Sequence, residues 1–304
     1  MKRLIAGTVL IAGTVLIAAC GSASGGPTIA PTTTSIVTET SVSSTTTSTP
    51  STSSTTTPTT STGSDLVPAV ASRYGLLGWW SADWVVPETL DDIPLTGDEE
   101  YQVVMLDQHI TTAVGSAPSL CEPSLTPVLD FDPPLPGEFG EPGALAVIAD
   151  WELRPSPVRV DTDLADPHYQ AVKEVLVTLG LDTDPAIFQV VAADIDGDGT
   201  EEIVIVAKDL PADLFGHPGN YSVVILRKMI EGDWQTALLE TSVGAPDNAY
   251  ILSHSVAAVA DLNGDGTMEI VVDAAYYEGA GTTAYEYIDD DLGPQPVLGG
   301  GCGA

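Results

Sequence analysis

The distribution of apolar residues divides the chain into three parts. Residues 4–19 form an apolar run without a charged residue, and residues 21–64 are dominated by Ser, Thr, Pro and Gly. From residue 65 onward, short runs rich in Val, Ile and aromatic residues alternate with turns rich in Gly, Pro and acidic residues. Such bounded runs are typical of β-strands. The pattern therefore predicts a mainly β globular domain over residues 65–304.

The first half of this domain, residues 74–160, is rich in Pro and Gly. The runs at 100–106 and 144–153 predict strands, and the Pro-rich stretch 129–143 predicts a long irregular loop. The stretch GLLGWWSADWV (75–85) is apolar and aromatic. It predicts either a core strand or hairpin, or an exposed aromatic platform for a sugar or a protein partner.

One helix is predicted, over residues 166–180. Asp166 can serve as its N-cap, Pro167 suits its first turn, and Gly180 suits its C-terminal stop. Apolar side chains recur between them at helical spacing, namely Tyr169, Val172, Val175, Leu176 and Leu179. Because these residues share one face, the helix is expected to pack against the core.

From residue 186 the chain repeats one pattern. A β-branched run, an acidic loop, a second run, a turn and a third run follow one another, and the same order then returns. The first acidic loop is DIDGDGTEEI (194–203), and the second, DLNGDGTMEI (261–270), begins 67 residues later. This internal repeat predicts two copies of one strand–loop–strand unit over residues 186–304.

The charge balance excludes one class of partner. The chain carries 43 acidic against 9 basic residues, which gives a formal net charge of −34. A surface this negative repels phosphate backbones, so nucleic acid is not expected as a partner. The same surface attracts cations, and the acidic loops are the candidate sites for binding them.

The N-terminus predicts export and a lipid anchor. Lys2 and Arg3 precede the apolar run, which is shorter than the about 20 residues of a membrane-spanning helix and fits a signal peptide over residues 1–19. The run ends in IAAC, which resembles the bacterial lipobox. The resemblance implies lipidation of Cys20 at the outer face of the bacterial cell membrane. An ordinary signal peptide and an uncleaved anchor are the alternatives. Residues 20–64 are expected to form a disordered tether.

Two further cysteines are available for pairing. If Cys20 carries lipid, Cys121 and Cys302 are the remaining thiols of an exported protein, and the simplest arrangement joins them in a disulfide. The sequence contains no CxxC motif. A zinc site built from thiolates is therefore not indicated.

The acidic loops offer oxygen ligands at alternate positions. Counted from the first Asp of each loop, these oxygens fall at positions 1, 3, 5, 7 and 9, with a backbone oxygen at position 7. The residues are Asp194, Asp196, Asp198, Thr200 and Glu202 in the first loop, and Asp261, Asn263, Asp265, Thr267 and Glu269 in the second. Carboxylates this close repel one another unless a cation binds. Calcium is a hard ion that accepts about six to eight oxygen ligands at flexible geometry. We therefore expect one calcium site in each loop, two in all.

The loops are not EF-hands. An EF-hand needs a bidentate carboxylate at position 12, whereas Ile205 or Val272 stands there, and it needs flanking helices rather than strands. The motif instead resembles the calcium loops of FG-GAP and VCBS repeats, which join two strands in integrin-like β-propellers. The resemblance covers about residues 186–304. Glu at position 9, where Asp is common, is expected to loosen the site.

The predicted fold is a mainly β domain of antiparallel repeat hairpins with one packed helix. Two repeats cannot close a propeller, which needs at least about four blades. A small partial propeller and an α+β sandwich are the alternatives. A wider resemblance, to an uncharacterised family of exported bacterial lipoproteins, rests on WELRPSPVRV, YQAVKEVLVTLGL, YSVVILRK, YYEGAGTTAYEY and GCGA. It implies no particular activity.

The motifs favour a binding module over an enzyme. Neither HExxH nor GxSxG occurs, and the best-placed carboxylates are assigned to calcium. A lipid anchor, a spacer and a β-domain are typical of a displayed recognition unit. We therefore predict a calcium-stabilised cell-surface lipoprotein that binds an extracellular protein or carbohydrate. An envelope structural protein and a secreted carboxylate-dependent hydrolase are the alternatives.

Overall fold

The computed structural model describes residues 67–106, 109–137, 141–161, 163–246, 250–287 and 293–303. Within these ranges the chain is mainly β, with one α-helix, and every strand pairing is antiparallel. The predicted fold class is confirmed to that extent. The predicted signal peptide, Cys20 and the predicted tether lie outside the described residues.

The secondary-structure elements are short in the first half and longer in the repeats. The strands are β1 (Ala69–Ser72), β2 (Gly75–Trp80), β3 (Trp84–Val85), β4 (Glu100–Val104), β5 (His109–Gly115), β6 (Ser119–Cys121), β7 (Thr126–Val128), β8 (Phe131–Asp132), β9 (Leu145–Val147), β10 (Arg159–Asp161), β11 (Ile187–Ala193), β12 (Glu202–Asp209), β13 (Tyr221–Ile230), β14 (Asp233–Val243), β15 (Ser253–Ala260), β16 (Glu269–Tyr276), β17 (Gly279–Tyr287) and β18 (Pro294–Gly303). The helix α1 spans Asp166–Thr178, and a 3₁₀ turn spans Leu90–Asp92.

Three sheets form the body of the protein. The N-terminal sheet has seven strands in the order β3-β2-β1-β9-β4-β5-β8. The first repeat sheet contains β10 to β14 in sequence order, and the second repeat sheet contains β15 to β18 in sequence order, while β6 and β7 pair separately. Strands β11–β14 and β15–β18 are thus two equivalent antiparallel meanders.

The sheets stack face to face with hydrophobic clusters between them. One cluster joins the two repeat sheets and contains Val191, Val204, Val206, Val224, Leu226, Val256, Val259, Ile270 and Val272. A second joins the second repeat sheet to the N-terminal sheet and contains Val70, Leu77, Val104, Leu145, Val147, Leu262, Val271, Ala284 and Leu298. Because successive strand residues point to opposite faces, the second repeat sheet is buried on both sides.

Helix α1 covers the outer face of the first repeat sheet. Val172 and Leu176 pack in one cluster with Ile205, Val223 and Ile225. The two β12 neighbours of Ile205 point the other way, into the cluster between the repeat sheets. This alternation explains why β12 is an almost unbroken apolar run and confirms that the helix packs against the core.

The ends of the helix agree only in part with the prediction. Gly180 stops it with a φ of +82°, and its N–H and that of Leu181 donate to the last carbonyl groups at 2.9 Å each. The start differs, because the N-cap is Ala165 rather than Asp166. The predicted N-cap is therefore wrong by one residue, since the Asp166 backbone is already helical.

The first half follows the predictions only in part. The strand predicted at 100–106 is limited to β4, and the predicted irregular loop 129–143 contains the short strand β8. The stretch 75–85 forms the β2–β3 hairpin, in which Trp79 is buried and Trp80 and Trp84 are half-buried, as the hairpin alternative predicted. The strand predicted at 144–153 is limited to β9. Beyond it the chain leaves the sheet, and the indole N–H of Trp151 donates to the carbonyl oxygen of Asp261 at 2.9 Å.

Candidate metal loops

The two acidic loops occupy equivalent places in the two repeat sheets. The first joins β11 to β12, and the second joins β15 to β16. Both turn on glycines in the left-handed region, with φ values of +73° and +89° at Gly197 and Gly199, and of +80° and +92° at Gly264 and Gly266. A side chain at these positions would be strained, so the glycines allow the carboxylates to converge.

The same hydrogen bonds hold both loops. The position 1 carboxylate accepts from the N–H of position 6, at 3.1 Å in the first loop and 2.9 Å in the second. The position 3 side chain accepts from the N–H of position 5, at 3.3 and 3.0 Å. The position 5 carboxylate accepts from the N–H of the Thr at position 7, at 2.6 and 2.7 Å. The repeat in sequence is therefore a repeat in three dimensions.

The Glu at position 9 is the most unusual group in each loop. Glu202 and Glu269 are fully buried, and Oε2 of each accepts one backbone N–H, from Ile195 at 2.8 Å and from Leu262 at 2.7 Å. Oε1 of each has no hydrogen-bond partner. Burial raises the pKa of Glu202 to about 7 and that of Glu269 well above its usual range. A buried, unpartnered carboxylate oxygen is costly, and a cation in the loop would satisfy it.

The carboxylates of the first loop lie close enough to coordinate one ion. Ligand atoms of Asp194, Asp196 and Glu202 all lie within 4.8 Å of one another. Position 3 of the second loop is Asn263, and amide oxygens, like carboxylate oxygens, are of the kind that hard cations bind. The predicted residues at positions 5 and 7 of the first loop, Asp198 and Thr200, are exposed at the loop surface.

The second loop is more enclosed than the first. Asp261 and Asn263 are buried, whereas Asp265 is exposed and Thr267 is half-buried. The ring of Trp151 lies directly under Gly264, where an added Cβ would come within 3.2 Å of the ring. Burial also raises the pKa of Asp261.

Two charged residues that the loop motif did not predict lie beside the loops. The Lys228 ammonium lies 2.5 Å from the Asp196 carboxylate, and Glu286 accepts from the Asn263 side-chain amide at 3.0 Å. Both come from the third strand of their repeat, and they are 58 positions apart, whereas the loops are 67 apart. A sequence alignment of the repeats at the 67-residue spacing of the loops therefore does not match Lys228 with Glu286. Only the pairing of the strands shows that the two residues occupy equivalent places.

An exposed aromatic surface lies at the end of the repeat strands opposite the acidic loops. It consists of Phe215 between β12 and β13, Tyr250 between β14 and β15, and Tyr276 and Tyr277 at the β16–β17 turn. Ring centroids are 4.7 Å apart for Phe215 and Tyr277 and 5.1 Å apart for Tyr250 and Tyr276. Phe215, Tyr250 and Tyr277 are 38%, 52% and 43% exposed. Three separate connections thus combine into one aromatic surface.

A buried Ser–His–Glu arrangement lies between the repeat sheets. Ser222 Oγ is 3.0 Å from His254 Nδ1, and His254 Nε2 is 3.8 Å from Glu240, which exceeds hydrogen-bonding distance. Ser222 and His254 have no exposed surface. Burial lowers the pKa of His254 to about 4. A substrate cannot reach these groups in the folded state, so they do not support a hydrolase.

The two cysteines predicted to pair come together in the fold. Cys121 ends β6, Cys302 lies near the end of β18, and their Cα atoms are 5.8 Å apart, which is disulfide distance. The geometry that the predicted pairing needs is therefore present.

Comparison of the chain with known proteins finds no match to a family model, to a curated protein or to a solved structure. The likeness to FG-GAP and VCBS repeats thus rests on the two loops and on the strands that flank them. In the part of the chain that the structure describes, no helix has the length and apolar character to cross a bilayer.

Proposed function

We propose that this protein is a calcium-stabilised binding module, held at the outer face of a bacterial cell membrane by lipid on Cys20. The observation that carries the calcium assignment is the buried Oε1 atom of Glu202 and of Glu269, which has no hydrogen-bond partner in either loop. Two separate loops have the same orphaned atom at the same position. A cation centred in each loop accounts for both.

The ligand chemistry favours calcium. All candidate ligands are oxygens, from carboxylates, an amide and the backbone, and hard cations prefer such oxygens over softer donors. The ligands are also mixed in kind and partly exposed, which suits the flexible geometry of calcium better than the strict octahedron of magnesium. Each loop joins consecutive strands of a four-stranded meander, as in one propeller blade, which supports assignment to FG-GAP or VCBS-type repeats.

Calorimetry of the full-length protein in detergent tests the calcium assignment. We expect two sites, with dissociation constants of about 10⁻⁴ to 10⁻³ M if they resemble other extracellular sites. Asp194→Ala and Asp261→Ala should each remove one site, whereas Asp91→Ala, an exposed acid in the 3₁₀ turn, should remove none. An absence of both heat and thermal stabilisation on addition of calcium would overturn the proposal.

The aromatic surface is the proposed contact with a partner. The connections that form it carry Asp213 and Glu278 and contain no Lys or Arg, and Asp209 ends the strand before the first of them. The Glu278 carboxylate, hydrogen-bonded to the Tyr277 side chain, raises the pKa of that phenol. Aromatic faces and carboxylates together attract organic cations. The partner is therefore proposed to be a protein segment that presents Lys or Arg.

An oligo-arginine peptide and neutral oligosaccharides distinguish the possible partners. Tyr250→Ser and Tyr277→Ser leave the net charge unchanged, so a loss of peptide affinity of about threefold or more in each would locate binding at these rings. Val177→Ser, at an exposed site on α1, is the control. Equal affinity in all variants would indicate non-specific attraction. Oligosaccharide binding that these variants abolish would replace the basic segment with a carbohydrate.

The anchor is tested by fractionation of cells. We expect the protein in the membrane fraction, and we expect Cys20→Ser to release it or to block its processing. Equal recovery of both forms in the aqueous phase would contradict a lipid on Cys20.

A further inference from the structure

The two repeats carry residues of opposite charge at one equivalent position beside their acidic loops. In the first repeat sheet Arg227 pairs with Ile203, and in the second Tyr285 pairs with Ile270. Ile203 and Ile270 each follow the Glu at position 9 of their loop. The next residues along β13 and β17 are Lys228 and Glu286. They therefore occupy equivalent places beside the first and the second loop.

Lys228 neutralises part of the first loop. Its Nζ lies 2.5 Å from Asp196 Oδ2, and the two side chains are only 10% and 15% exposed. The ammonium also lies over the ring of Tyr287, 4.5 Å from its centroid. Because water screens this pair little, a calcium ion that uses Asp196 must displace the ammonium or bind beside a like charge.

Glu286 has the opposite effect on the second loop. Its Oε1 accepts from the Asn263 amide at 3.0 Å, and its Oε2 accepts from the Trp84 indole at 2.8 Å. These two bonds hold the carboxylate at the loop. If the side chains at the ligand positions 1, 3, 5 and 9 and the neighbour from β13 or β17 are counted, the first loop has four carboxylates and one ammonium, and the second has four carboxylates and no ammonium. Glu201, at position 8 of the first loop, is not a candidate ligand and is ion-paired with Arg159 at 2.5 Å.

We infer that Lys228 and Glu286 make the two loops unequal calcium sites. The second loop binds calcium tightly and fills first. The first loop binds calcium weakly, because its resident ammonium competes for Asp196, and it responds to calcium at higher concentration. This inference rests on the proposal that both loops bind calcium. Calcium affinity in oxygen loops follows the charge of the surrounding groups. The second site carries one more net negative charge than the first, because Asn263 replaces an Asp while Glu286 replaces Lys228, and this predicts a difference of about tenfold.

Calcium calorimetry of full-length variants in detergent tests the inference. In the unsubstituted protein we expect two dissociation constants about tenfold apart, with the weak site lost in Asp194→Ala and the tight site lost in Asp261→Ala. Lys228→Met should tighten the weak site by about tenfold and leave the tight site unchanged. Lys228→Arg retains the charge and should leave the weak site weak. Glu286→Gln should weaken the tight site by about tenfold.

Three outcomes would overturn the inference while leaving calcium binding intact. They are two equal sites in the unsubstituted protein, tight binding at the site that Asp194→Ala removes, and no change of the weak site in Lys228→Met. If Lys228→Met fails to fold, as circular dichroism without calcium would show, Lys228→Gln replaces it. The absence of any calcium heat in the unsubstituted protein is a different result, which overturns the proposed function as well.

Discussion

Individual polar residues specify how the two repeat sheets fit together. Gln189 exchanges two hydrogen bonds with the backbone of Val256, at 3.1 and 2.8 Å. The Lys208 ammonium donates to Ser253 Oγ and to the carbonyl oxygen of His254, each at 3.1 Å. Burial lowers the pKa of Lys208 to about 8. Apolar side chains alone would allow the sheets to slide, whereas these directional bonds favour one register.

His254 predicts acid sensitivity at the residue scale. Its pKa in the folded state, about 4, lies below the usual 6.5, so the unfolded chain binds the proton more tightly. Its contribution to stability is therefore complete above pH 6.5 and is lost as the pH falls from 6.5 towards 4. Between pH 7 and pH 5 this loss amounts to about 2 kcal/mol.

Urea unfolding at pH 7 and pH 5 measures this contribution. His254→Gln lowers stability at both values but should lose about 2 kcal/mol less than the unsubstituted protein on acidification. His217→Gln, at an exposed site, is the control for the His-to-Gln change itself. An equal loss on acidification with and without His254 would show that other groups cause it.

At the scale of elements, the C-terminus of α1 has a favourable stop residue, whereas its N-terminus lacks a favourable cap. Gly180 supplies the left-handed residue that the C-terminal motif requires. The N-cap, Ala165, has the extended conformation that a cap requires, with φ of −64° and ψ of 146°, but its side chain cannot accept a hydrogen bond. The orphan N–H groups of the first turn thus lack a side-chain acceptor from this position.

Ala165→Ser is expected to stabilise the protein. The hydroxyl would accept from a first-turn N–H, and Ala165 is exposed, so no packing is lost. The expected gain is about 1 kcal/mol in the free energy of unfolding. Urea unfolding measures it, with Ala165→Val as a control that supplies bulk without an acceptor. A Ser variant no more stable than the Val variant would rule out capping as the cause.

At the scale of the whole molecule, the Cys121–Cys302 pair links parts that are distant in sequence. It joins the separate β6–β7 hairpin to the second repeat sheet, with a separation of 181 residues. The glycines near Cys302 permit close approach, since a Cβ on Gly300 would lie 3.0 Å from the Leu76 carbonyl oxygen in β2. The end of β18 is thus held between its own sheet and the N-terminal sheet.

We predict that Cys121 and Cys302 form a disulfide. By the chain-entropy model, loss of a cross-link over this separation costs at most about 5 kcal/mol, so the double Ala variant should unfold at markedly lower urea. Mass spectrometry after alkylation without reduction measures the bond directly. Two alkylated thiols in the folded monomer would contradict it, and a disulfide-linked dimer would contradict the intramolecular pairing.

Local interactions explain what the sequence by itself determined about this protein. The strands that flank the acidic loops, the loops themselves and the helix stop at Gly180 are legible because their signals lie within a few residues. Strand alternation, glycine at positive φ and alternate oxygen ligands all act over such short distances. The proximity of Cys121 and Cys302 was predictable for a different reason. The chain has three cysteines, and once Cys20 is assigned to lipidation only one pair is left.

Only the tertiary structure decided which distant residues meet. Lys228 and Glu286 reach the loops through strand register, and the aromatic surface forms from three connections that share no sequence motif. The burial of His254 follows from the stacking of the repeat sheets. The physical reason is that sheet register and packing depend on the summed burial of many apolar side chains across strands, so no single short stretch of sequence encodes them.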